Sequence, residues 1–230
     1  PLVASFDALE DYLQSQGRDW ERYAWVKARA VTGAEAYADL FANVVRPFVY
    51  RRYLDFGVFE SLRDMKAMIE REVERRELHD NVKLGPGGIR EIEFAVQAMQ
   101  LIRGGQDRRL QGTSLLEILP RPEGSRLLPA SAVTELCSAY LYLRRLENRL
   151  QMLRDQQTHS LPEDEPSQLR IARAMGHEAW SSLREELEGR RAVVSRHFAE
   201  LIFGESGATA RSGTVGAALS GWADADSTPE

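Results

Sequence analysis

The residues best suited to phosphate chemistry form a glycine-rich segment that leads into a helix. Lys83-Leu84-Gly85-Pro86-Gly87-Gly88 cannot form regular helix, and the helical pattern starts again near Ile89. Backbone N–H groups at a helix start lack partners, and the helix dipole favours negative charge there. We therefore expect an anion cradle made by Lys83 and the loop N–H groups. The segment matches neither a Gly-Lys-Ser/Thr phosphate loop nor a dinucleotide fingerprint.

The helix that follows the glycine-rich segment begins with two acidic residues, Glu91 and Glu93, and Glu93 is the harder one to explain. Glu91, in the first turn, is accounted for by compensation of the helix dipole. Glu93 lies beside the buried edge of the helix, where a carboxylate usually has a partner. Candidate partners are Lys27, Arg29 and Lys83. A structural ion pair and a functional site explain Glu93 equally well.

A second group of cations lies on a helix predicted from about Asp19 to Val31. On such a helix Trp20 and Lys27 share one face, and Arg22 and Arg29 lie two turns apart on another. Several cations on one helix can hold a polyphosphate. The alternative is an amphipathic helix with a solvated basic face, which base rates favour.

A third charged segment, residues 143–151, is best interpreted as the solvated face of a helix. The histidines do not have the spacing of a metal site; they are His79, His159, His177 and His197. The sequence also lacks a Gly-x-Ser-x-Gly motif and a Cys/His catalytic pair.

The elements that position these residues are predicted to be almost entirely helical. Helices are expected over about 6–16, 19–31, 34–45, 58–78, 89–103, 131–157, 167–175 and 178–203, with a short helix after 112–114. Ser5 is the expected cap of the first helix, and Pro47 fits a first helical position. Short extended pieces are expected near Leu2-Val3 and Val82-Lys83.

Composition excludes several classes of protein. The chain has 230 residues and a formal net charge of −5, which disfavours a general nucleic-acid binder. It has neither a signal peptide nor an apolar run of the roughly 18 residues that a membrane span needs. Its single cysteine, Cys137, can form neither an internal disulfide nor a thiolate zinc site. We expect a cytoplasmic protein.

Several blocks in order resemble the bifunctional glutamine synthetase adenylyltransferase/adenylyl-removing enzyme of bacterial nitrogen control. The matching blocks are residues 17–29, 46–53, 83–94, 100–105, 143–148 and 155–158. The resemblance extends from Pro1 to about Phe203, and several long blocks make it highly specific. In that family, two nucleotidyltransferase domains are each followed by a helical bundle. The first half removes AMP from a tyrosine of glutamine synthetase by phosphorolysis and releases ADP, and the second attaches AMP from ATP.

The resemblance implies residue roles that the patterns alone leave open. Ile-Arg-Glu-Ile-Glu-Phe at 89–94 is similar to the adenylyl-removing half. Residues implied to bind nucleotide or phosphate are Lys27, Arg29, Lys83, Gly85, Gly87 and Gly88. Residues implied to orient them are Trp20, Glu21, Arg90 and Glu93. The implied partners of the intact enzyme are glutamine synthetase, the PII signal protein, ATP or ADP, phosphate and Mg²⁺, with no membrane or nucleic acid.

The sequence departs from the family at the metal site. The family's Gly-Ser segment, its Asp-x-Asp and a later aspartate are absent, and Asp224-Ala225-Asp226 lacks the Gly-Ser context. We therefore expect no catalytic residue or magnesium ligand in this chain, and no activity of the chain alone. The expected fold is mainly α: the C-terminal part of a nucleotidyltransferase domain (1–105), a helical bundle (106–203) and a flexible tail (204–230).

A non-catalytic function is the main alternative. A helical module could dock glutamine synthetase or a PII-type protein without taking part in chemistry. Acidic metal ligands encoded upstream of Pro1 would favour the enzyme over the docking module. A helical nucleic-acid binder is a third class, and it would need a stronger basic face.

Overall fold

The computed structural model describes residues 3–51, 57–121 and 128–203, and this part of the chain is mainly helical, as predicted. Its α-helices are α1 Phe6–Ser15, α2 Asp19–Trp25, α3 Ala38–Leu40, α4 Arg46–Val49, α5 Gly57–Arg75, α6 Ile89–Arg103, α7 Leu115–Ile118, α8 Ala130–Arg154, α9 Glu165–Ala174 and α10 Trp180–Phe203. None of these helices is both long and apolar enough to cross a membrane.

Several helix ends coincide with the local signals in the sequence. The Ser5 hydroxyl oxygen accepts a hydrogen bond from the N–H of Ala8 at 3.2 Å, so the predicted cap of α1 is confirmed. The Asp164 carboxylate caps α9 in the same way. Helix α8 ends at Arg154, and the residue that follows, Asp155, has the left-handed φ of 50° common at helix C-termini. The long helices predicted near 58–78, 89–103 and 131–157 are also confirmed.

The helix predicted from Asp19 to Val31 is wrong over its second half, because α2 ends at Trp25. After Trp25 the N–H groups of Lys27 and Ala28 donate to carbonyls only three residues back, both at 3.1 Å. This turn lets the Lys27 ammonium donate to the carbonyl of Thr113 at 2.7 Å. A tertiary contact therefore outweighs local helix propensity, and Arg29 lies in irregular backbone.

Pro47 lies at the start of α4, as predicted, although α4 continues a helical segment that begins at Ala38. Residues 34–37 form turns, and the chain passes from α3 through a π-helical turn, Phe41–Val45, into α4. Proline lacks an N–H group, and its ring clashes with the carbonyl four residues earlier. A π-helical turn stands directly before α4, and the helical path continues from Ala38 to Val49.

Helix α6 lies at the centre of the core. All of its residues from Phe94 to Ile102 are buried, and α2, α5, α8 and α10 pack against it. Buried apolar side chains form one cluster that extends from Tyr23 to Leu201 and therefore includes residues on both sides of position 105. The boundary expected between 105 and 106 stays a prediction.

The extended piece expected near Val82-Lys83 pairs with the chain that follows α8. Asn81 and Ser160 form an isolated antiparallel bridge, flanked by hydrogen bonds from Val82 N–H to the His159 carbonyl (2.8 Å) and from Leu161 N–H to the Asp80 carbonyl (3.1 Å). Val3 has irregular backbone, while Leu2 and the tail from 204 to 230 lie outside the described residues.

Candidate functional site

The glycine-rich loop is closed by its own hydrogen bonds. Apart from Pro86, which has no N–H, each backbone N–H from Val82 to Glu91 donates within the chain. The acceptors are the carbonyls of Asn81, Val82, Lys83, Gly85, Gly88 and His159, the Asn81 side-chain oxygen and the Glu91 carboxylate. The expectation of free N–H groups for an anion is therefore wrong. The loop uses these donors to hold itself on the start of α6.

Close packing explains the glycines of this loop. Gly87 has a φ of +65°, and a Cβ atom there would overlap the backbone of Arg191 on α10. Gly85 and Gly88 lie so close to loop carbonyls that a Cβ atom would not fit. The glycines thus seat the loop on α10 and close it upon itself. Their role in nucleotide binding stays a prediction.

Arg191 anchors the loop from the α10 side. Its side chain is buried, and its guanidinium donates to the carbonyls of His79 at 2.9 Å and Asn81 at 3.1 Å. Asn81 in turn accepts hydrogen bonds from the N–H groups of Lys83 and Leu84 through its side-chain oxygen. A residue more than one hundred positions away therefore fixes the backbone that carries Lys83.

A buried carboxylate on α8 lies near this loop. Glu147 is only 3% exposed; its Oε2 lies 2.8 Å from Arg144 Nη1, and its Oε1 lies 2.9 Å from His159 Nδ1. The His159 imidazole lies within ion-pair distance of the Glu147 carboxylate, but the two groups are not aligned for a linear hydrogen bond. Burial alone would raise the pKa of Glu147, but His159, Arg144 and Lys83 together hold it below its usual value. We call Lys83, Arg144, Glu147 and His159 the Glu147 cluster.

Tyr140 and Glu93 extend this cluster towards Lys27. The guanidinium carbon of Arg144 lies 5.9 Å from the centre of the Tyr140 ring. Burial raises the pKa of Tyr140, and the nearby charge of Glu93 raises it further. Burial lowers the pKa of Lys27, and Glu93 opposes that shift. Electrostatic contacts thus link the Glu147 cluster, Tyr140, Glu93 and Lys27 in what we call the charged row. The charge of Glu93 thus acts on Lys27, and an ion pair between the two side chains stays a prediction.

Arg29 and Trp20 occupy different environments from Lys27. Arg29 is exposed, and no residue in the described ranges forms a hydrogen bond or ion pair with it. The indole N–H of Trp20 is buried, with no acceptor in the part of the chain that the structure describes. Phosphate binding by Arg29 and an orienting role for Trp20 stay predictions.

Glu21 and Arg90 support backbone near the row. Glu21 accepts hydrogen bonds from the Tyr12 hydroxyl at 2.7 Å and from the N–H of Arg18 at 2.8 Å, and so caps the start of α2. The backbone N–H of Arg90 donates to the carbonyl of Lys83 at 3.0 Å, which ties the loop to α6. The orienting roles expected of both side chains stay predictions.

The described residues do not fit a magnesium site. Within 3–51, 57–121 and 128–203, no group of three or more His, Cys, Asp or Glu side chains lies close enough to hold a metal ion. Asp224 and Asp226 fall outside these ranges. We therefore derive no reaction step through a metal.

Sequence reasoning missed part of the row. It interpreted residues 143–151 as a solvated face, and it assigned no role to Tyr140 or His159. Arg144, Arg145 and Asn148 are exposed as expected, but Glu147 is buried, and its contact with His159 comes from another segment. One signal was available: Glu147 follows Leu143 by four residues and precedes Leu150 by three, which is the spacing of the buried stripe on α8.

Two family models match this chain. The model described as GlnD PII-uridylyltransferase matches residues 63–202, which include the glycine-rich loop and the Glu147 cluster. The model described as Glutamate-ammonia ligase adenylyltransferase matches residues 1–43, which include Lys27. The two matches together cover all segments of the charged row.

Curated relatives share about half of the residues of this chain. A protein of Chromobacterium violaceum is 54% identical over 202 residues, which are 88% of this chain and 22% of the relative. A protein of Thioalkalivibrio sulfidiphilus is 51% identical to this chain over 90% of this chain and 21% of the relative. A protein of Nitrosococcus oceani is 53% identical over 88% of this chain and 21% of the relative. All three are named bifunctional glutamine synthetase adenylyltransferase/adenylyl-removing enzyme. This chain spans about a fifth of their length.

Proposed function

This chain belongs to the GlnD PII-uridylyltransferase family and is a segment of the kind found in bifunctional glutamine synthetase adenylyltransferase/adenylyl-removing enzymes; we propose that it serves the adenylyl-removing reaction of such an enzyme. The identity of 51–54% to proteins of that name carries the proposal. The similarity of residues 89–94 to the adenylyl-removing half supports the choice of half.

In the proposed reaction, phosphate attacks the phosphorus of an adenylylated tyrosine. The bond from phosphorus to the tyrosine oxygen breaks, ADP forms, and the phenolate leaves and takes a proton. Lys27 and Lys83 would offset the negative charge of the phosphoryl groups. Lys27 suits this role because its ammonium, held by one carbonyl, keeps further donors on an exposed side chain. The metal ligands would come from another part of the enzyme, and this chain alone would be inactive.

The proposal also assigns partners and a compartment. Adenylylated glutamine synthetase would be the protein substrate, and phosphate and nucleotide the small-molecule ligands. A PII signal protein would regulate the intact enzyme in the cytoplasm. A non-catalytic docking module has one observation in its favour, since Leu141 (55% exposed) and Met152 (69% exposed) lie on one face of α8.

The test uses the longer protein that carries this segment, assayed for both reactions. Phosphate-dependent release of ADP from adenylylated glutamine synthetase measures the first, and ATP-dependent adenylylation measures the second. We expect Lys27→Ala to slow the first at least about tenfold and to leave the second within about twofold. Arg173→Ala, on the exposed side of α9, is the matched control. Unchanged ADP release in Lys27→Ala, or equal loss of both reactions, would contradict the proposal.

A further inference from the structure

Arg144 is positioned more firmly than a solvated surface arginine requires. Its side chain is 45% exposed, yet one nitrogen contacts a nearly buried carboxylate and the guanidinium carbon lies over the Tyr140 ring. Burying a carboxylate is costly, and an exposed ion pair returns little stability. The combination fixes the direction of the guanidinium while much of the side chain stays open to solvent.

This arrangement suits the binding of a phosphate group. The guanidinium has five N–H donors in a rigid plane, and the contact with Glu147 occupies one nitrogen. A planar, pre-oriented guanidinium can bind two phosphate oxygens at once, at a smaller cost in conformational entropy than a free side chain. The Glu147 carboxylate orients the Arg144 guanidinium. His159 and Lys83 also offset the negative charge of Glu147, so Arg144 does not have to neutralise it alone.

We propose that Arg144 is a further phosphate-binding residue, which acts together with Lys83 on the phosphate groups of a nucleoside diphosphate. Arg144 and Lys83 come from distant segments that direct contacts bring together. Glu147 contacts both Arg144 and His159, and the His159 carbonyl accepts a hydrogen bond from the N–H of Val82, the residue before Lys83. The proposal rests on the proposed function, which supplies the nucleotide. It adds Arg144, which lies on α8, to the proposed ligand site. It also explains why a buried carboxylate, Glu147, lies beside Arg144.

Binding of ADP to the full 230-residue chain, measured by isothermal titration calorimetry, tests the proposal, with inorganic tripolyphosphate as a second probe. We expect Arg144→Gln to weaken binding of both probes at least about tenfold, and Arg144→Lys to weaken it less, because the charge remains but the planar fork is lost. Arg173→Gln on α9 is the control and should bind within about twofold of the unchanged chain. Circular dichroism monitors folding of each variant.

Three results would overturn the proposal. The first is that Arg144→Gln binds the probes within about twofold of the unchanged chain. If Lys27→Gln weakens binding in the same titration, the proposed role of Lys27 stands and only the proposed role of Arg144 is refuted. The second is no binding of either probe by the unchanged chain up to about 10 mM. The third is loss of binding together with loss of the helical signal, which would make Arg144 a structural residue. The activity assay of the longer protein judges the proposed function independently.

Discussion

Replacement of Glu147 by glutamine tests whether the charged row is built around an ionised carboxylate. The two side chains have nearly the same size, so the change removes the charge and leaves the packing of α8. Loss of one member of a fully buried ion pair costs about 3–5 kcal/mol. Here Arg144 is 45% exposed, so its guanidinium regains water when the carboxylate is lost. We therefore expect a smaller loss, about 2 kcal/mol.

Urea unfolding followed by circular dichroism measures this loss, and its pH dependence tests the cause. The pKa of Glu147 is held below its ordinary value of 4.5, so the folded state binds this proton more weakly than the unfolded chain does. The stabilisation is therefore complete above the pKa of the unfolded chain and is lost as the pH falls through the folded-state pKa. The difference between the unchanged chain and Glu147→Gln should shrink below about pH 4.

Glu185→Gln is the matched control, because Glu185 is exposed on α10. Its unfolding free energy should stay within about 0.5 kcal/mol of that of the unchanged chain. Two outcomes would refute the reasoning. One is a Glu147→Gln variant as stable as the control at pH 7. The other is a loss of stability that does not shrink at all as the pH falls from 7 to about 3, because a charge effect must weaken over this range.

Two further predictions concern the packing of the glycine-rich loop against α10. Gly87→Ala should destabilise the chain by about 2–3 kcal/mol, because it adds strain at a left-handed φ and an overlap with the backbone of Arg191. Gly189→Ala should instead stabilise the chain by about 0.5–1 kcal/mol, because a Cβ atom at this position on α10 meets open space. Thermal and urea unfolding compare them, and equal effects would contradict the packing argument. Arg191→Met removes the donors to the carbonyls of His79 and Asn81, so amide hydrogen exchange should accelerate most in residues 82–91. Exchange there that matches an Arg173→Met control would show that Arg191 does not hold the loop.

Local sequence signals predicted most helices but not the ends that tertiary contacts decide. Helix α6 has a glycine-rich start and an apolar pattern that agree with its place in the core, so its bounds were predictable. Helix α2 has favourable residues beyond Trp25, yet the chain turns there and Lys27 contacts Thr113. Pro47 begins α4 as its sequence signal predicted, but the π turn that joins α3 to α4 was not predicted.

Lys27, Lys83 and Glu93 could be singled out from the sequence, whereas Arg144 and Glu147 could not. Lys27, Lys83 and Glu93 stood out by type and position, and the structure links Glu93 to Lys27 electrostatically. The expectation of free loop N–H groups was wrong because local sequence cannot reveal that these groups have acceptors within the folded chain, and binding of an anion by this loop stays a prediction. His159 could not be assigned, because its partner Glu147 is brought to it by the folding of the chain after α8.

The sequence by itself determined the helical class, the family and the segments that carry charge, because periodicity, turn residues and long ordered motifs are properties of the chain. Only the tertiary structure decided which charges meet. Arg191 reaches the carbonyl of Asn81 across 110 positions, and Lys27 reaches that of Thr113 across 86. Contacts over such separations, and the burial that makes Glu147 depend on its partners, exist only once the helices have packed around α6.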